Sequence, residues 1–185
     1  MTLKEYNSKI EKAALESKAE LQWNDGRANN AIIMKEMFKY ANNIMMYCGE
    51  GSIFKKSFAD KVNEEVDKDD YNPMEDLYRQ INLFLEKENS KLTIILQKEK
   101  KLDNLSDSIQ EAWMNKKNKS EIKLYELDNY LNPQFHFSIG DDRMYRREIG
   151  AEEHNAFADF NDCECVAMLK EQFENLLGFS KEIKV

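Results

Sequence analysis

Glycine, proline, cysteine and histidine are all scarce here: the 185 residues include 6 Gly, 2 Pro, 3 Cys and 2 His. So few chain-breaking residues exclude a fold made mainly of turns and imply long regular elements. Three cysteines cannot form a disulfide framework and fit a reducing compartment. Cys163-x-Cys165 lacks the second spaced pair of a structural zinc site. Neither His136 nor His154 stands at ligand spacing from it, so neither a metal nor another cofactor is expected. No apolar run nears the roughly 20 residues needed to cross a bilayer, and no membrane contact is expected. The opening Met1-Thr2-Leu3-Lys4-Glu5 lacks the basic-then-apolar pattern of a secretory leader, so the expected compartment is the cytoplasm.

Positive charge is also in short supply. With 27 Lys and Arg against 35 Asp and Glu, the formal net charge is −8. Phosphate backbones are gripped by local excesses of Lys and Arg, so nucleic acid is not the expected partner. The basic clusters Lys98–Lys101, Lys116–Lys119 and Arg143, Arg146 and Arg147 read as solvated surface.

What is present is an ordinary globular balance, 42% hydrophobic and 34% charged, in a length that suits one domain over 1–185. Tyr6, Ile10, Ala13, Ala14 and Leu21 predict a helix from Leu3 to Trp23, an N-terminal extension (1–23) closed by Asn24-Asp25-Gly26. The core then covers 28–185. A helix over Ala28–Ala41 is followed by a buried strand, Asn43–Cys48, and a turn at Gly49-Glu50-Gly51-Ser52. Helices are predicted at Ile53–Val66, after Asn72-Pro73, and at Leu102–Lys116. Leu92–Leu96 and Ile122–Leu127 read as strands. Phe135–Ile139 and Met144–Ile149, separated by Gly140-Asp141-Asp142, read as a hairpin. A last helix should follow Asp162 and stop at Gly178. Strands alternating with helices, then a late hairpin, predict an α/β fold with a mixed, mostly parallel sheet flanked by helices.

This order resembles one half of the phospholipase D-like superfamily, over roughly 28–185. Active members carry histidine, any residue, lysine, four residues, aspartate, and later glycine, serine, any residue, asparagine. The counterpart here is Gln134 to Asp141, with Ala156 to Phe160 as the later stretch. Residue by residue, Gln134 takes the place of the nucleophilic histidine and His136 that of the phosphate-binding lysine. Asp141 matches the aspartate. Ala156 and Phe157 replace the glycine and serine, and Asp159 the asparagine. A glutamine amide cannot attack phosphorus to form a covalent intermediate, and Asp159 adds negative charge where cationic donors are needed. The resemblance also implies pairing with a second copy, since a single half normally builds its site from two chains.

Outside that stretch, Gly49-Glu50-Gly51-Ser52 sits between a strand and a helix, where backbone amides bind anions, but it lacks the lysine and spacing of a P-loop. Glu50 and Ser52 therefore join Gln134, His136, Asp141 and Asp159 as candidate pocket residues. Asp141 has two readings, a turn residue or the group that orients His136. Two functional readings follow. The first is a non-catalytic interaction or accessory protein, a homodimer or a subunit of a bacterial defence or regulatory assembly, with the N-terminal helix offered to a partner. The second is a phosphodiesterase or nuclease with a rearranged site using His136, Asp141, Asp159 and Glu50.

Overall fold

The computed structural model describes residues 1–67, 71–97, 99, 101–114, 120–128, 135–149 and 155–183. The chain begins with α1 (Leu3–Leu15), started by a capping box. The Thr2 hydroxyl accepts from the Glu5 amide at 3.2 Å, and the Glu5 carboxylate accepts from the Thr2 amide at 2.8 Å. Tyr6, Ile10, Ala13 and Ala14 are buried against α2 (Arg27–Tyr40), so this helix belongs to the main core and is no free extension. It also ends eight residues short of the predicted Trp23. The segment 16–20 offers nothing to bury, Ser17 turns left-handed at φ 50°, and the chain returns as a strand, β1 (Gln22–Asn24).

After α2 comes β2 (Asn43–Cys48), as predicted. The predicted helix 53–66 is split into a 3-10 turn at Ser52–Phe54 and α3 (Lys56–Glu65). The break falls at Lys55, whose backbone is extended and bridges Leu105. The same bridge delays the start of the next predicted helix, so α5 (Asp107–Met114) begins at Asp107; the expected end at Lys116 lies outside the described residues. Between them lies α4 (Met74–Glu86); the Asn72 side chain accepts from the Met74 amide at 3.0 Å, the capping role its sequence suggests.

The remaining elements are β3 (Lys91–Leu96), β4 (Glu121–Leu127), β5 (Phe137–Gly140), β6 (Met144–Glu148), β7 (Ala156–Asp159), α6 (Cys163–Gly178) and β8 (Ser180–Ile183). The eight strands form one mixed sheet in the order β1-β7-β6-β5-β2-β3-β4-β8. Parallel pairing does not dominate it: β2–β3 and β3–β4 are parallel, and every other neighbouring pair is antiparallel. The physical reason is the late hairpin. Once β5 lies against β2, β6 and β7 follow it in alternating directions, and the N-terminal strand β1 adds antiparallel to β7 at the edge. One core lies between the sheet and α1 to α5, with Phe38 edge-on to Phe54 and Phe84. A second lies under α6, where Tyr47, Phe137, Tyr145 and Phe173 pack.

A candidate pocket at the carboxyl end of β2

β2 ends at Cys48, and Gly49 to Ser52 turn the chain away from the sheet. Gly51 has φ 64°, which favours glycine, and a Cβ there would stand 2.6 Å from Leu102 Cδ1, so the leucine tip would have to shift. This turn, the first turn of α2 and the inner face of α3 enclose a cavity of about 280 Å³ against β2, β5 and β6. Met34, Met46 and Phe58 make its apolar side. His136, Ser138, Arg146 and Glu148 make its polar side, and Arg27, Asn30 and Lys61 border it from the helices.

The centre of the polar wall is a pair across the hairpin. His136 Nδ1 lies 2.8 Å from Glu148 Oε2. When Nδ1 carries the proton it donates to the carboxylate, leaving Nε2 as an acceptor. Nε2 lies over the turn: a Cβ on Gly49 would sit 3.5 Å from it. On the other side of Glu148, Arg146 Nη1 and Nη2 each stand 3.4 Å from Oε1. Burial pushes the Glu148 carboxyl up, but His136 and Arg146 together outweigh it and hold the group below the usual carboxylate range. Burial of the Arg146 guanidinium pulls its pKa below the ordinary arginine value, against the attraction of Glu148. Arg146 Nε is buried without a hydrogen-bond partner among the described residues, as is Asn30 Oδ1. Burial, reinforced by the nearby Glu148 carboxylate, pushes the Cys48 thiol up to about 12, so it is no nucleophile at neutral pH.

The structure separates the sequence candidates into two groups. His136, Glu50 and Ser52 border the cavity. Glu50 is tied there to the buried Lys55 at 3.1 Å, which also reaches Asp103 at 3.0 Å, and Ser52 is exposed. Asp141 is not at His136; it sits at the far end of β5. Its Oδ1 accepts from the amides of Asn42 and Asn43 at 3.0 and 2.8 Å, and its own amide donates to the Asn43 carbonyl at 2.8 Å. It therefore pins the start of β2 to the hairpin turn and does not orient the histidine. Asp159 lies at the same far end of the sheet, opposite Tyr145. It accepts from the Asn161 amide at 2.7 Å, and burial raises its carboxyl pKa. The stretch from Ala156 lies one strand beyond β6, so β6, and not this stretch, flanks His136. Gln134 and His154 fall outside the described residues.

Glu148 and Arg146 carry the site. Glu148 was not a candidate from the sequence, and Arg146, expected there on the solvated surface, is buried and paired with Glu148. A signal for Glu148 existed. The hairpin closes on the pair Gly140–Met144, and four steps back from it along both strands His136 meets Glu148. No local pattern brings Arg27, Asn30 and Lys61 to the same cavity.

No protein-family model matches the chain, and no curated protein matches it by sequence. Solved structures do. TrmBL2, described as an archaeal chromatin protein with a novel mode of DNA binding, superposes with a TM-score of 0.54 at 17% identity. That match covers 97% of this chain, which spans 62% of TrmBL2. Nuc, a phospholipase D family member from Salmonella typhimurium, gives a TM-score of 0.53 at 10% identity, over 90% of this chain and 100% of Nuc. NucT from Helicobacter pylori gives 0.51 at 12%, over 89% of this chain and 100% of NucT. The chain has a phospholipase D-like fold, and at these identities the likeness concerns the fold alone.

Proposed function

We propose that this chain is a non-catalytic phospholipase D-like protein that works by interaction, as an accessory protein or small subunit of a larger assembly such as a bacterial defence or regulatory system. One observation carries the reading: the ionised Glu148 carboxylate is bonded to His136 at 2.8 Å within the pocket. The carboxylate cancels the positive charge that a protonated His136 would offer, so stabilising the developing charge of phosphoryl transfer would fall to other groups. Of the two arginines on the cavity, Arg146 is committed to Glu148 and Arg27 to Glu65. The protein acts in the cytoplasm, as a homodimer or with a protein partner; among the described residues no helix is long and apolar enough to cross a membrane.

The alternative, a phosphodiesterase or nuclease with a rearranged site, has less support. Two of its four proposed residues, Asp141 and Asp159, lie at the opposite end of the sheet from His136. The described residues also include no cluster of three or more His, Cys, Asp or Glu side chains that could hold a metal ion. The deciding experiment incubates the purified protein with bis(p-nitrophenyl) phosphate and with single- and double-stranded DNA, with and without magnesium or manganese. No turnover above buffer is the expected result. Hydrolysis that disappears in His136→Ala would overturn the reading and restore the enzyme.

A further inference from the structure

Beyond α6, on the same face of the sheet, four strands bring one row of side chains into register. Trp23 on β1 pairs with Phe157 on β7, Phe157 with Arg147 on β6, and Arg147 with Phe137 on β5. Phe137 is buried under α6, but the row emerges from that cover toward β1. Trp23 is 62% exposed, and Ile149, on the same side of the hairpin, is 55% exposed. Phe157 meets Trp23 edge-on at 6.4 Å and Tyr145 at 5.9 Å, so the outer rings rest on a buried one.

Arg147 is the only charged residue in this row. Its guanidinium stands 4.1 Å from the centroid of Phe135 and 6.0 Å from that of Phe157. Such stacking uses the faces of the guanidinium and leaves its N–H donors pointing outward in the plane. No described residue forms an ion pair with it, although the chain carries a net charge of −8. A planar fork of donors with rings on its faces is the geometry that takes a carboxylate in two parallel hydrogen bonds. Trp, Phe and Arg in contact, here with Trp23 exposed and Phe157 and Arg147 half-buried, are also the residue types that dominate binding energy at protein interfaces.

We infer that the row Trp23–Phe157–Arg147, with Phe135 and Ile149 at its margin, is a docking surface for an acidic, aromatic-bearing segment of another protein. The inference rests on the interaction reading above and names the partner's chemistry. A carboxylate of the segment pairs with Arg147, and neighbouring apolar side chains lie on Trp23 and Ile149. Charge complementarity selects this occupant. A single cation gives nucleic acid too little grip on an acidic protein. A second copy docked through the same patch would bring Arg147 toward Arg147 across the two-fold axis.

The test uses the full chain and a library of fluorescent peptides in which Asp and Glu alternate with Phe, Trp and Leu. A matched library carries Asn and Gln in place of the acids. Anisotropy should show saturable binding of acidic members and none of the amide counterparts. Trp23→Ala and Arg147→Gln should each weaken it by about ten- to a hundredfold. Arg147→Lys should fail to restore it, since an ammonium has no fork. Both sites are at the surface, and unchanged thermal unfolding of each variant confirms that folding is intact. No binding by any acidic peptide, equal binding of the amide library, binding that survives both variants, or preferential capture of single-stranded DNA would each overturn the proposal. Phosphodiester turnover is measured on the same preparations: turnover sinks the non-catalytic reading, whereas absent binding without turnover sinks only the docking surface.

Discussion

His136 and Glu148 face each other across the hairpin and are joined twice: side chain to side chain at 2.8 Å, and Glu148 amide to His136 carbonyl at 2.9 Å. Ordered backbone on both strands thus sets the side-chain contact. It also places a carboxylate within reach of the buried Arg146, so two ionisable side chains, His136 and Arg146, depend on one glutamate.

Glu148→Gln should therefore cost about 3 kcal/mol at pH 7, because it leaves Arg146 buried without its counter-charge. The folded pKa of Glu148 is depressed, so its contribution is present above the unfolded carboxylate value and lost as pH falls through the folded value. The stability gap between wild type and variant should close on acidification. Urea unfolding at a series of pH values measures it. A gap that stays constant into the acid range would show that the charge of Glu148 contributes nothing.

Asp141→Ala should cost about 2 kcal/mol, since it removes the acceptor for two backbone amides at the start of β2 and leaves alanine in a left-handed conformation. Asp141→Asn keeps an acceptor oxygen and tolerates that conformation, so it should lose less than half as much. Equal losses for the two variants, read from denaturant midpoints, would contradict the pinning role.

Gly51→Ala should destabilise by about 1–2 kcal/mol through its positive φ, and further through its collision with Leu102. Gly178→Ala is the control, since a Cβ there meets nothing within 4 Å. Thermal melts of the two should separate clearly, and coincident melts would remove the structural requirement at the pocket turn.

Thiol labelling should follow exposure and protonation. Cys163 is exposed, whereas the Cys48 thiol, pushed up to about 12, is almost wholly protonated at pH 8. Mass spectrometry after brief alkylation of the native protein should find Cys163 modified first and Cys48 last. Early modification of Cys48 would mean that the pocket wall opens or that its environment is less apolar than the packing indicates.

Apolar clustering along the chain was enough to locate α2, β2, β3, β4, the β5–β6 hairpin and α6, although α2 and β5 are buried on more than one face. In α6 the apolar spacing coincides with a cap at Asp162, whose side chain accepts from the Cys165 amide at 2.9 Å. Gln22–Asn24, Ala156–Asp159 and Ser180–Ile183 become strands through contacts with distant segments. They are three or four residues long, too short to show a period, and they exist because a neighbour supplies hydrogen bonds. The same holds for the pocket. The sequence singled out His136, but its partner Glu148 comes from hairpin register, and Arg27, Asn30 and Lys61 come from packing α2 and α3 over the sheet. Periodic burial is a local property that can be read along one chain. Register and packing are relations between distant segments, fixed only when the core closes.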